Sequence, residues 1–224
     1  GMNVARFNMS HGDYGELEKT FATVKEAIAE SGKNVALLLD TKGPEVRIGH
    51  IDGGKTEIVE GQDFTLFRDE VVGNNEGVSI SYPKLIKKLM KYNKAKGLKL
   101  LLDDGKISMQ IKKVLDDRIV CKVLVGGELG SRKSINIPDY NIDMPYVSKK
   151  DREDIDFGIK MGINVIAASF VRNGDDVRTL RDYVESIGGE HIGIISKIEC
   201  QSGVDDIDEI LDESDGIMVA RGDM

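Results

Sequence analysis

Lys197, Glu199 and Asp223 are side chains whose types and spacing could do chemistry in this 224-residue chain. They lie in IGIISKIECQSGVDDIDEILDESDGIMVARGD, residues 192–223, which reads as strand, helix, strand with charge at each strand end. Alternate residues of a strand share a face, so Ile195, Lys197 and Glu199 line up while Ile194, Ser196 and Ile198 point the other way. The spacing predicts one helix next, with Val204, Ile207, Ile210 and Leu211 on its buried face. In GIMVARGD, Val219, Arg221 and Asp223 share a face, which delivers Asp223 to the next strand end. Parallel α/β folds bind ligands at those carboxyl ends. Two carboxylates there suit a hard divalent cation with positions left for substrate oxygens. An adjacent ammonium suits a substrate carrying a phosphoryl or carboxylate group. By itself the spacing fits a strand-end salt bridge between Lys197 and Glu199 equally well.

A second gathering opens the chain. In the strand NVARFNM, residues 3–9, Val4, Arg6, Asn8 and, by extension, Ser10 share a face, and His11 with Gly12 makes the turn. Leu17, Phe21, Val24 and Ile28 then predict an amphipathic helix closed by Gly32. NVALLLDTKGP is a nearly continuous apolar strand ending in Asp40 and Thr41, as a parallel sheet buried on both faces requires.

After Pro44 the texture changes to short alternating strands and glycine turns: EVRIGHI, KTEIVE, DFTLF, GVSIS, KLLL, KISMQIKKV, RIVCKVLV and KSINIP. Asp104-Gly105 signals a hairpin, and one helix is expected around Pro83 to Tyr92. Residues 45–144 therefore read as an inserted all-β barrel domain. The β/α rhythm resumes after Pro145, with a capping box at Ser148 and Asp151, a stripe of Ile155 and Ile159, the strand NVIAASF, and a helix marked by Val177, Leu180, Val184 and Ile187. Residues 1–44 and 145–224 thus hold five strands and four helices. That is α/β, about five of the eight strands of a (β/α)8 TIM barrel.

The bulk properties bound the function. A net charge of −8 with no prominent basic block and no tryptophan argues against nucleic-acid binding. Two distant cysteines, Cys121 and Cys200, suit a reducing, cytoplasmic setting. With no apolar run of about 18 residues and no basic-apolar leader, a membrane partner is not expected.

The ordered segments NVARFNMSHG, LLDTKGPEVR, GSRKSINIP, ASFVR, ISKIE and MVARGDM cover the whole chain and together resemble the pyruvate kinase family. The resemblance implies a TIM barrel with a mobile lid, and phosphoryl transfer from phosphoenolpyruvate to ADP, giving pyruvate and ATP. Lys197 is similar to the family's catalytic lysine, and Arg6 and Arg47 match phosphate contacts. Glu199 and Asp223 match ligands of Mg²⁺ or Mn²⁺, while the backbone of Gly222 and Asp223 resembles the cradle for the substrate carboxylate. Asn8, Ser10, Asp40 and the carbonyl of Thr41 match a K⁺ site, and Glu45 resembles the residue of K⁺-dependent members. Asn8, His11, Arg47 and Lys133 look like nucleotide contacts. Cys200 stands where the family commonly has asparagine. The family's first strand, last two strands, an active-site threonine and carboxy-terminal domain lie outside these residues. The polypeptide alone is therefore expected to be inactive or marginally folded, and the full-length protein a homo-oligomer, a tetramer. Two other readings are another metal-dependent barrel enzyme acting on phosphoenolpyruvate or pyruvate, and a non-catalytic module that binds metal and phosphoenolpyruvate.

Overall fold

The computed structural model describes residues 1–9, 13–140 and 142–219, and the chain divides into two compact units, Gly1–Pro44 with Met144–Met224, and Glu45–Asp143. The first unit opens with β1 (Val4–Asn8), α1 (Tyr14–Ser31) and β2 (Ala36–Asp40). Asp13 starts α1 because its carboxylate accepts the N–H groups of Gly15 and Glu16, which have no partner inside the helix. Gly32 ends it at φ 62°, a left-handed conformation that side chains disfavour. Phe21, buried on α1, stacks on Phe7 of β1 and so fixes the helix against the sheet.

The second unit holds β3 (Val46–Arg47), β4 (Lys55–Ile58), β5 (Asp63–Phe67), β6 (Gly77–Ser79), α2 (Lys84–Lys91), β7 (Lys99–Leu102), β8 (Ile107–Val114), β9 (Arg118–Val125), β10 (Gly127–Gly130) and β11 (Ser134–Asn136). Seven strands form one sheet in the order β3-β11-β7-β8-β9-β5-β6. An antiparallel bridge between Ile48 and Ile80, the residues just after β3 and β6, joins the outer strands and closes that sheet into a barrel. Its interior is apolar, with Phe64, Leu66, Leu100, Leu102 and Ile119 fully buried.

The first unit resumes with α3 (Lys149–Lys160), β12 (Val165–Ala168), α4 (Gly174–Ser186), β13 (Gly193–Ile198), α5 (Gln201–Asp205), α6 (Ile207–Glu213) and β14 (Gly216–Val219). Its five strands are all parallel and lie in simple chain order, β1-β2-β12-β13-β14. A doubly wound sheet would reverse its order partway. Unreversed order with a helix between successive strands is the barrel arrangement, so the unit is a partial (β/α)8 barrel. Register sets the strand ends side by side: Asn8 beside Asp40, Asp40 beside Ala167, Ala168 beside Ser196.

Several local expectations need correction. The single helix after β13 is two, because Asp206 leaves the helix to accept the Gly174 N–H at the start of α4 (3.1 Å). Val204 and Leu211 are accordingly exposed while Ile210 is buried. Ile187 follows the end of α4 and is 37% exposed. The second unit also has a strand the pattern did not suggest, β10, which pairs with β4.

Candidate active site

The carboxyl ends of β2, β12 and β13 converge on the ammonium of Lys197, and β1 joins them through Arg6, which pairs with Asp40. Lys197 sits one residue before the end of β13, on the strand face opposite Ile194 and Ile198, which pack in the apolar core. Its Nζ lies 2.9 Å from Glu199 Oε1, 2.9 Å from Ser169 Oγ and 3.2 Å from Asp40 Oδ1. An ammonium has three protons, so this one is fully satisfied although the residue is only 8% exposed. Glu199 is equally enclosed, and its Oε2 accepts the backbone N–H of Phe170 at 2.7 Å. Asp40 accepts from Arg6 Nε at 2.6 Å through Oδ2, and Arg6 Nη2 pairs with the same oxygen. Arg6, Asp40, Lys197 and Glu199 therefore alternate in charge along one connected line, with zero net formal charge.

Ser169, directly after β12, ties the strand ends together. Its hydroxyl proton is shared between the Thr41 carbonyl at 2.6 Å and Asp40 Oδ1 at 3.2 Å, and its N–H donates to Thr41 Oγ1 at 3.1 Å. Its carbonyl accepts the Tyr146 hydroxyl at 3.0 Å. Burial, reinforced by the nearby Asp176 and Asp151 carboxylates, holds that phenol far above its ordinary value, so it stays a donor. Phe170 adopts φ 53°, the left-handed region, which costs a bulky residue roughly 1–3 kcal/mol. That turn is what aims its N–H at Glu199.

Of the other residues singled out by sequence, Asn8 is the lateral neighbour of Asp40 in the β1–β2 register, and Thr41 follows Asp40 with its carbonyl on Ser169. Arg47, Lys133 and Glu45 belong to the second unit. There Arg47 pairs with Glu45 at 2.5 Å and donates to the Arg132 carbonyl at 2.9 Å. Lys133 pairs with the buried Asp103 at 2.9 Å. Ser10, His11, Gly222 and Asp223 lie outside the described residues. Burial pushes the Cys200 thiol above its ordinary value, with Sγ 3.6 Å from the Val171 carbonyl, so the group stays protonated and is a poor nucleophile. Sequence reasoning missed Ser169, Phe170 and Tyr146. The signal for Ser169 was its place, the first polar residue after the apolar strand β12, at the same end of the sheet as Asp40 and Lys197.

The donor set suits hard cations. Glu199 offers a buried carboxylate, and Asn8, Asp40 and Thr41 bring an amide, a carboxylate and a carbonyl oxygen to two adjoining strand ends. Among the described residues no group of three or more His, Cys, Asp and Glu is placed to hold a metal. No described helix is long and apolar enough to cross a membrane.

Fold and site together define a β/α-barrel segment, interrupted by a closed β barrel, whose strand ends gather cations and carboxylates. The whole of residues 1–224 matches the family model described as pyruvate kinase, barrel domain, and the chain belongs to the pyruvate kinase family. It is 46% identical over its full length to a pyruvate kinase of Geobacillus stearothermophilus, of which it covers 38%, and 43% identical to one of Clostridium acetobutylicum, of which it covers 46%. A crystal structure of a pyruvate kinase from Cryptosporidium parvum is similar over the whole chain and 46% of its own, with a TM-score of 0.84 and 42% identity. The chain spans about two fifths of the length of these curated relatives.

Proposed function

We propose that the protein transfers the phosphoryl group of phosphoenolpyruvate to ADP, giving pyruvate and ATP in the last step of glycolysis, and that residues 1–224 supply its phosphoenolpyruvate side. The observation that carries this reading is the line of alternating charge across adjoining strand ends, in which Asp40, Lys197 and Glu199 are buried and the more exposed Arg6 pairs with Asp40 at its outer end. Arg6 and Lys197 place two cations where phosphoryl oxygens carry charge during transfer, and a loose transition state asks for little else. Glu199 with Asp223 holds Mg²⁺ or Mn²⁺, and Asn8, Ser10, Asp40 and the Thr41 carbonyl hold K⁺. When bound, these ions neutralise substrate charge. Gly222 and Asp223 receive the substrate carboxylate on their backbone N–H groups. Glu45–Asp143 acts as a lid that excludes water, with Arg47 and Lys133 joining Asn8 and His11 in nucleotide binding. The protein acts in the cytoplasm as a homotetramer.

The test is Lys197→Met, which keeps the length and removes the charge. Turnover of phosphoenolpyruvate is expected to fall about 10³-fold or more, with Mn²⁺ still bound. Turnover within tenfold of the unsubstituted protein would overturn the assignment.

A further inference from the structure

We infer that the turn Ser169-Phe170 is the positioning element of this site: the Ser169 hydroxyl aims the Lys197 ammonium and the Phe170 amide aims the Glu199 carboxylate. This rests on the functional reading above. Lysine is a flexible four-carbon stem with three rotatable donors, so a definite position for Nζ needs more than opposite charge. Asp40 and Glu199 attract the ammonium from a range of directions. Ser169 Oγ, at 2.9 Å, is the neutral partner that adds direction without adding negative charge. It also remains in place when Glu199 is engaged by a cation.

The turn is itself held from three sides. Thr41 accepts from both the hydroxyl and the amide of Ser169, and the Tyr146 hydroxyl donates to its carbonyl. Gly43 packs so closely behind it that an added Cβ would stand 2.6 Å from the Ser169 carbonyl oxygen. A residue needed only to end a strand would not require Phe170 at φ 53°, since an exposed glycine would do so without strain. What the left-handed backbone secures is the 2.7 Å bond to Glu199. Neither residue is assigned contact with reacting atoms, so both act through Lys197 and Glu199.

The experiment compares Ser169→Ala, Ser169→Thr and Phe170→Gly with the unsubstituted protein, in two readouts. In the first, the ¹H–¹⁵N signal of the Lys197 ammonium is followed by NMR. It is expected to be visible in the unsubstituted protein, broadened by solvent exchange in Ser169→Ala, and recovered in Ser169→Thr, which restores the hydroxyl. In the second, kcat for phosphoenolpyruvate is expected to fall roughly 10- to 100-fold in Ser169→Ala with KM little changed, and to recover in Ser169→Thr. Phe170→Gly is expected to weaken Mn²⁺ binding about tenfold without lowering the melting temperature, because glycine relieves the backbone but leaves the amide unfixed. A Lys197 signal lost in both serine variants or in neither, or unaltered Mn²⁺ affinity in Phe170→Gly, overturns the positioning role. A Lys197 signal that responds as expected while none of the proteins turns over phosphoenolpyruvate overturns the functional reading instead.

Discussion

The two units solve the problem of burial in opposite ways. Among the described residues, nine of the twelve buried polar or charged side chains lie in the first unit, and only Ser79, Asp103 and Ser108 in the second. The closed barrel keeps its interior largely apolar and puts most of its ion pairs outside, as with Lys112 and Asp63, both about half exposed. The partial barrel instead carries charge into its own strand ends. Four of its nine have plain structural duties: Asp151 completes a capping box, Asp176 pairs with Arg172, Asp154 accepts from Tyr14, and Ser196 bonds Ser214. The other five, Asp40, Thr41, Ser169, Lys197 and Glu199, form one network. Desolvating such charges is expensive, and replacement of buried pairs by apolar residues is often neutral or stabilising. That cost agrees with the ligand-binding role proposed for this network, and the second unit is the internal comparison for burial without it.

The sharpest way to break that contrast is to remove one charge from the network. Asp40→Ala leaves Arg6 and Lys197 without their shared carboxylate, and Lys197 is nearly enclosed. Breaking a buried pair on one side is expected to cost about 3–5 kcal/mol, read as a lowered urea midpoint of the first unit. A loss below about 1 kcal/mol would mean that the strand ends are wetter and softer than their burial indicates. Next in size is overpacking behind the network. Gly158→Ala on α3 would place a methyl 2.3 Å from Leu39 Cδ1, and about 1–3 kcal/mol of destabilisation is expected in the same measurement.

The site was legible in the sequence wherever strand periodicity decides the matter. Arg6, Asn8, Asp40, Lys197 and Glu199 stand at or beside strand ends on predictable faces, so their convergence needs only the parallel order of the strands. What escaped is fixed by distant contacts. No propensity places phenylalanine at φ 53°, and Phe170 is held there by bonds to Glu199 and through Ser169 to Thr41 and Tyr146. The break between α5 and α6 follows from Asp206 capping α4, 32 positions away in sequence. Closure of the second unit rests on Ile48 meeting Ile80, which alternation along either strand cannot reveal. Strand patterns report faces, whereas turns and closures report neighbours.

A smaller effect, confined to the second unit, comes from the buried carboxylate of Asp103. Burial by itself would raise the Asp103 carboxyl, but hydrogen bonds from Lys133 and Lys106 outweigh it and hold the group below the ordinary aspartate range. A depressed folded value stabilises the fold above the unfolded pKa of about 3.9, and that contribution disappears as pH falls through the folded value. The stability gap between the unsubstituted protein and Asp103→Asn, from urea midpoints, should therefore be constant above about pH 5 and narrow below pH 4. A gap that widened on acidification would reverse the assigned direction.

The smallest effect completes the comparison. Asp63 pairs with Lys112 at 2.7 Å, a shorter contact than the 3.2 Å between Lys197 and Asp40, yet both partners are exposed. Distance alone would rank the surface pair first. Water and salt screen it, however, and ordering two long side chains offsets what attraction remains. The Asp63 carboxyl is lowered chiefly by its hydrogen bond to Lys112. Asp63→Asn is expected to move the melting temperature by less than about 2 °C, and by less still at high salt. A loss rivalling that of Asp40→Ala would show that contact distance governs these pairs, and the argument that the first unit's network is costly because it is enclosed would fall with it.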